Sequence, residues 1–253
     1  NKFEFRMVGS SDSVASPNVV LNTIVAEAFC DIADELEKAE DFDSAVHDLI
    51  KKMASEHQRI VFNGDGYSDN WVEEAERRGL PNLKTMVDAI PALTTDKAVK
   101  MFEKFGVFTK AELESRSEVQ YEAYSKAINI EAKAMIDIAG KHIIPAVIKA
   151  TIDLANSINS VKAACPDADI SVQTELLQET SALLADTKVA LSKLQDVVEE
   201  AAEKAEGREQ AVFFKDVVKK TMDELRAPVD KLEMIVDKEA WPMPSYGDLI
   251  FEV

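Results

Sequence analysis

Lys2, Glu4 and Arg6 are the residues whose types and spacing suit chemistry. In an extended chain alternate side chains share a face, so these three charges point one way while Phe3, Phe5 and Met7 point the other. Three charges on one strand face are costly to bury unless they meet a metal, a phosphate or one another. Carboxylate oxygen is the preferred ligand of Mg²⁺ or Mn²⁺, and an arginine fork suits a carboxylate or a phosphate. Residues two apart on a strand stand about 6.5 Å apart at the backbone. Glu4 can thus hold the metal side, and Arg6 the substrate side, of one transferring phosphoryl group. Spacing alone equally allows an exposed edge strand with a cross-strand ion pair. The chain opens without a methionine and in strand register, as expected of a piece of something larger.

The remaining candidates are weaker. Asn63-Gly64-Asp65-Gly66 has the glycines of a phosphate-cradling loop but not its Gly-Lys-Ser/Thr ending, and reads as an inter-helix turn. His47 and His57 fall on different faces of one predicted helix, and His142 stands alone beside Ile143 and Ile144. Glu118, Glu122 and Glu131 lie on a long predicted helix without any Glu-x-x-His pair, so a di-iron bundle is not expected. Cys30 and Cys165 lack metal-ligand spacing and read as reduced cytosolic thiols rather than a disulfide framework.

Elements that position such residues follow from composition and periodicity. Hydrophobic residues make up 46% of the 253, enough for a sizeable core, and only 8 Gly and 8 Pro interrupt an Ala-, Glu-, Lys- and Leu-rich chain, which favours long helices. The net charge of −18 repels phosphate backbones and anionic lipid, so no nucleic-acid and no membrane partner is expected. The longest apolar run, around residues 143–148, is far short of the roughly 20 residues that span a bilayer. No signal-peptide pattern opens the chain. A cytoplasmic protein is expected.

Along the chain, a polar turn at residues 9–13 precedes a helix with Ser16 as its cap and Pro17 in its first turn, running to about Lys38. A second helix is predicted from near Asp43 to near Gln58, and a short one from Ser68 through Arg78, stopped by Gly79 and Pro81. Short helices follow near Asn82–Ala89, ending at Pro91, and from Thr95 to Phe105, stopped by Gly106. Thr109 and Glu112 form a capping box that launches a long helix to about Ala155, with a kink or break at Pro145. From Val172, Leu176/Leu177, Leu183/Leu184, Leu191, Leu194 and Val197/Val198 repeat at heptad spacing as a core or subunit seam that ends before Gly207. A last helix near Gln210 to Val236 carries Pro228, and the apolar tail from Trp241 is expected to dock on the body. The expected fold is mainly α: a bundle of long antiparallel helices preceded by shorter helices, with one N-terminal β-strand left from a truncated catalytic sheet.

Six ordered strings add a resemblance. The opening Asn1–Arg6 with Gly9-Ser10-Ser11 and Pro17–Thr23 resembles the end of the catalytic domain of glutamine synthetases, most closely the large type III form of bacteria. The same resemblance continues through Phe62–Ser68, Arg78–Leu83, Asp88–Pro91, Ile128–Ala132, Glu224–Pro228 and Trp241–Leu249. It implies that residues 1–30 are the end of the catalytic domain, and the helix pattern divides the rest near residue 108 into a short-helix segment over 31–108 and a long-helix bundle with a docked tail over 109–253.

What the resemblance implies is an enzyme that joins glutamate and ammonia with ATP through a γ-glutamyl phosphate, at a site with Mg²⁺ or Mn²⁺. By family position Glu4 is a metal ligand near the ATP γ-phosphate, and Arg6 contacts glutamate and the phosphoryl group. Lys2, a looser match, lies near nucleotide phosphate. Shorter family members follow this arginine with an apolar-Pro-Asp run, where this chain has Met7-Val8-Gly9-Ser10. The family's other metal ligands and its β-grasp domain are expected before Asn1, so this piece alone is expected to bind no cofactor and to be inactive. Family members are homo-oligomers of stacked six-membered rings. The alternative is a non-enzymatic helical interaction or oligomerisation module.

Overall fold

In the computed structural model, residues 13–251 are described. The expected opening strand, with Lys2, Glu4 and Arg6, lies outside them. Among the described residues every regular element is helical and no strand occurs. The chain divides into two compact units at Ser117/Glu118.

The first unit is built from short helices. α1 (Ala15–Leu36) begins earlier than its sequence suggests: Ser16 lies inside the helix, Val14 is the N-cap, and the Ser13 hydroxyl accepts a bond from the Ala15 N–H at 3.2 Å. It ends at Leu36, where Lys38 was expected. α2 (Phe42–Glu56) starts where the Asp41 carboxylate accepts the Ser44 N–H and, at 2.6 Å, its hydroxyl. One 3₁₀ turn, Gln58–Ile60, follows. α3 (Asp69–Arg77) has Ser68 at its N-cap position, but that hydroxyl donates back to the Asp65 carbonyl instead of capping.

α4 (Met86–Ala89) is shorter than expected, because the Thr85 hydroxyl accepts the Asp88 N–H and fixes the helix start there. Pro91 does not end it. A 3₁₀ turn, Ile90–Thr94, carries Pro91 in its first turn, where a missing N–H costs nothing. α5 (Asp96–Lys104) is capped by Thr95 and stopped by Gly106 at φ +63°, with the Val107 N–H reaching back to the Phe102 carbonyl at 2.9 Å. Val87, Ile90, Phe102 and Leu113 are buried, and Phe108 packs on Phe102 with ring centroids 5.5 Å apart. Lys52–Glu35 (2.8 Å) and Lys104–Glu27 (3.0 Å) pair α1 with α2 and α5.

α6 (Lys110–Ile138) opens on the expected capping box: the Glu112 carboxylate accepts the Thr109 N–H at 2.7 Å while the Thr109 hydroxyl accepts the Glu112 N–H at 3.3 Å. Its later turns belong to the second unit. There it passes through a π turn, Ala139–Ile143, into α7 (Ile144–Ala164). This turn is how the chain handles Pro145. A proline inside an α-helix lacks the N–H for residue i−4 and clashes with that carbonyl. The Ile144 N–H instead bonds the Ala139 carbonyl, and the widened turn puts Pro145 in the first turn of a renewed helix. The helix therefore runs on to Ala164, past the expected Ala155.

α8 (Ser171–Glu203) packs on α7 and on a third helical run: α9 (Arg208–Phe213), a π turn at Phe214–Val218, and α10 (Lys219–Glu233). Short connections make neighbours antiparallel. One core cluster joins Ile128, Ala132 and Ala139 to Leu191, Leu194, Val198 and to Phe214, Val218, Met222, Leu225. The other joins Ile143 and Val147 to Leu183, Leu232 and Val236. Residue numbers rise along α6–α7 and α10 while they fall along α8, so the bundle is antiparallel as expected. The α8 seam turns inward, with Thr180, Leu183, Thr187, Leu191, Leu194, Val198 and Ala201 buried at spacings of three or four. α11 (Tyr246–Phe251) closes the described chain.

Candidate functional site

The sequence-predicted site residues Lys2, Glu4 and Arg6 lie outside the described residues, so their mutual placement is not part of this geometry. Among the described residues no group of three or more His, Cys, Asp or Glu side chains is placed to hold a metal ion. His47, His57 and His142 are all exposed, as are Glu118, Glu122 and Glu131.

Among the described residues, a cluster of polar and aromatic contacts forms where α3 braces the loop of residues 61–68. Phe62 stacks on Trp71 with centroids 4.2 Å apart, and the Arg78 guanidinium lies 5.7 Å from the Trp71 ring. Arg78 also donates to the carbonyls of Arg59 (3.1 Å) and Val61 (2.7 Å) and, through Nε, to Glu74 (2.5 Å). Arg77 grips the same carboxylate through two nitrogens at 2.7 and 2.6 Å. The hydrogen bonds from Arg77 first, then Arg78, hold the Glu74 carboxyl down to about 2. Trp71, Glu74 and Arg78 meet because i, i+3 and i+7 share a helix face. Gly79 at φ +68° ends α3 and lets the Leu80 N–H reach the Ala75 carbonyl at 2.9 Å, fixing Arg78 at the last turn.

This is a scaffold rather than a reacting centre. Arg78 is engaged with protein oxygens and with the Trp71 face, and Arg77 with Glu74. The cluster positions the loop and presents Tyr67, 89% exposed, at its tip. Sequence strings singled out Arg78 and Phe62 without assigning them this job. The signal was available: an aromatic, a carboxylate and an arginine at helical spacing, next to a second aromatic in a glycine-rich loop.

A shallow hollow at the start of α6 is lined by Ala111, Glu112, Ser115 and Arg116. Free N–H groups at a helix start attract anions, but here Glu112 takes the Thr109 N–H and Glu103 takes the Lys110 N–H at 3.2 Å. Arg116 lies 4.3 Å from the centroid of the Phe108 ring. The protein's own carboxylates fill the role of an anion.

The tail is held at the bundle end. Trp241 and Ala240 pack against the cluster of Leu232 and Val236. Lys238 pairs with Asp248 at 2.8 Å, and the Ser245 N–H and hydroxyl each donate to the same carboxylate at 2.7 Å. Lys238 first, then Ser245, hold the Asp248 carboxyl down to about 2. Beyond that anchor Tyr246, Leu249, Ile250 and Phe251 stay exposed. No described helix is long and apolar enough to cross a membrane.

The sequence pattern of the glutamine synthetase C-terminal domain matches residues 45–162. The chain is 35% identical over 262 residues to the type-3 glutamine synthetase of Dictyostelium discoideum, covering 99% of this chain and 35% of that protein. It is 34% identical over 208 residues to a glutamine synthetase of Butyrivibrio fibrisolvens, covering 82% of this chain and 30% of that protein. A Bacteroides fragilis glutamine synthetase is 29% identical over 259 residues, covering 99% and 36%. The chain thus spans about a third of the length of the curated relatives it matches. With a domain match that runs from the first unit into the second and alignment over nearly its whole length, the chain belongs to the glutamine synthetase family and carries that family's C-terminal domain.

Proposed function

We propose that the protein to which this chain belongs is an ATP-dependent glutamate–ammonia ligase of type III, making glutamine through a γ-glutamyl phosphate. The observation that carries this reading is the alignment of 99% of the chain, at 35% identity, with a type-3 glutamine synthetase. In this reading Glu4 binds Mg²⁺ or Mn²⁺ and Arg6 contacts glutamate and the transferring phosphoryl group. Lys2 lies near nucleotide phosphate. The metal would supply charge neutralisation of the phosphoryl group. Among the described residues no side-chain set fits such a metal, so in this reading its other ligands belong elsewhere in the whole protein.

The helical units serve packing and assembly of a cytoplasmic homo-oligomer of stacked six-membered rings, with neither nucleic acid nor membrane as partner. The charge of −18 supports the last point. The 253-residue chain by itself makes no glutamine and holds neither ATP nor metal.

Two assays test this. In the whole enzyme, Glu4→Gln is expected to lower glutamate- and ammonia-dependent phosphate release by roughly 10²–10³, the scale seen when one transition-state contact is removed. An unchanged kcat/KM in that variant overturns the role of Glu4. Separately, the purified 253-residue chain is expected to give no ATP-dependent glutamine, and its formation would overturn the reading of this piece as incomplete.

A further inference from the structure

From the packing of the 61–68 loop we infer that Asn63-Gly64 is a spontaneous modification site, at which the chain loses ammonia and converts Asn63 to aspartate and isoaspartate. The step needs only water as co-reactant. The Gly64 backbone nitrogen attacks the Asn63 side-chain carbonyl carbon, the amide nitrogen leaves as ammonia, and a cyclic imide forms. Water then adds to one of the two imide carbonyls and reopens the ring. Attack at one gives aspartate, and attack at the other gives isoaspartate, with the main chain rerouted through the side chain. No electron changes hands.

Three observations place the reaction here. Asn63 is the one asparagine in the sequence followed by glycine, so no side chain shields the attacking nitrogen. Both residues are exposed and lie outside regular structure. Among the described residues neither the Asn63 side chain nor the Gly64 N–H takes part in a hydrogen bond, so nothing holds donor or electrophile away from attack. Elsewhere those conditions fail. Asn156 and Asn159 precede serines inside α7, where the next backbone N–H is committed to the helix. Asn82 precedes the side chain of Leu83. Asp65 precedes Gly66, but an ionised carboxylate is a poor electrophile, and its Oδ1 already accepts the Tyr67 N–H at 3.0 Å.

The fold also crowds the position after Asn63. A Cβ on residue 64 would stand 2.7 and 2.9 Å from ring carbons of Phe62. That ring is pinned against Trp71 at 4.2 Å and cannot retreat without breaking the stack. A side chain at 64 would therefore have to displace the Phe62 ring, and glycine there leaves the backbone nitrogen open to attack on Asn63. The coupling runs both ways. Isoaspartate lengthens the main chain by a methylene directly before Gly64, which moves Gly64 under the Phe62 ring and disturbs the stack on Trp71.

The test holds the purified chain for days in warm, mildly alkaline buffer, then maps peptides by mass and labels isoaspartate with an isoaspartyl methyltransferase. The Asn63 peptide is expected to gain the amide-to-acid mass difference and to accept methyl groups at least about tenfold faster than any peptide bearing Asn82, Asn156 or Asn159. Asn63→Ser is expected to abolish the labelling. An unmodified Asn63, equal rates at the helical asparagines, or labelling that survives in Asn63→Ser overturns the assignment. The charge-altered fraction, separated by anion exchange, is expected to show shifted tryptophan emission against the parent. Identical emission overturns the coupling to the Phe62–Trp71 stack.

Discussion

At the scale of single residues, Glu74 and Arg78 show how charge is used here to hold shape. Arg78 ties two loop carbonyls to the last turn of α3, and Glu74 keeps both neighbouring guanidiniums in place. The Glu74 carboxyl sits near 2 in place of its ordinary 4.5. A carboxyl whose folded value is depressed adds stability that is complete above its ordinary value and drains away as pH falls through the folded one. The first unit should therefore weaken between about pH 4.5 and about pH 2. Acid titration followed by Trp71 emission, in a Trp241→Phe background, measures this. Glu74→Gln should flatten that acid limb, and an unchanged limb would assign it to other carboxylates.

At the scale of elements, terminators and turns decide more than propensity does. The Thr109–Glu112 box, Gly79 and Gly106 were legible in sequence because each acts through bonds to its own neighbours. Ser16 and Ser68 were misleading because a serine caps only where its hydroxyl meets a free N–H of the first turn: Ser16 lies inside α1, and the Ser68 hydroxyl, though on extended backbone, donates to the Asp65 carbonyl instead. Pro145 was legible as a disturbance, but not as a π turn, since the alternatives of kink, break and bulge differ only in which carbonyl the Ile144 N–H finds.

Gly207, between α8 and α9, sits at φ +86°, ψ −136°, a region open to glycine alone. A Cβ there would also stand 2.5 Å from a Glu118 carboxylate oxygen. Gly207→Ala is expected to cost about 1–3 kcal/mol, from backbone strain more than from the mobile carboxylate. Thermal unfolding by circular dichroism reads it, and an unshifted midpoint would mean that the loop relaxes.

At the scale of the whole molecule, the described residues form two helical units, and most of the buried hydrophobic side chains lie in the second. Leu194 and Leu232 are fully covered, and burial of such side chains is worth about 1.5–3 kcal/mol each. Leu191, 3% exposed, belongs to the cluster of Leu194, while Leu184 lies half-buried beside the cluster of Leu232. Leu191→Asn should therefore unfold the second unit by leaving an unpaired amide in its centre, while Leu184→Asn costs far less. Urea unfolding of the two variants decides between core and subunit seam at Leu191. A folded Leu191→Asn chain with altered oligomer size would show that this position faces another subunit.

Sequence by itself determined the helical class, the antiparallel order of the long helices, the seam on α8 and the family. Each depends on local periodicity, short connections or residue strings that survive without knowledge of any neighbour. Only the tertiary structure decided that the seam faces inward and includes Thr180 and Thr187, because a threonine at a heptad position is polar in sequence and buried only in context. Only packing brought Phe62 over Gly64 and against Trp71, with Arg78 alongside, since those contacts join a loop to a helix that follows it. Lys2, Glu4 and Arg6 rest on resemblance alone, because a metal or phosphoryl site is a property of side chains converging from several segments, and one strand of charges cannot define it.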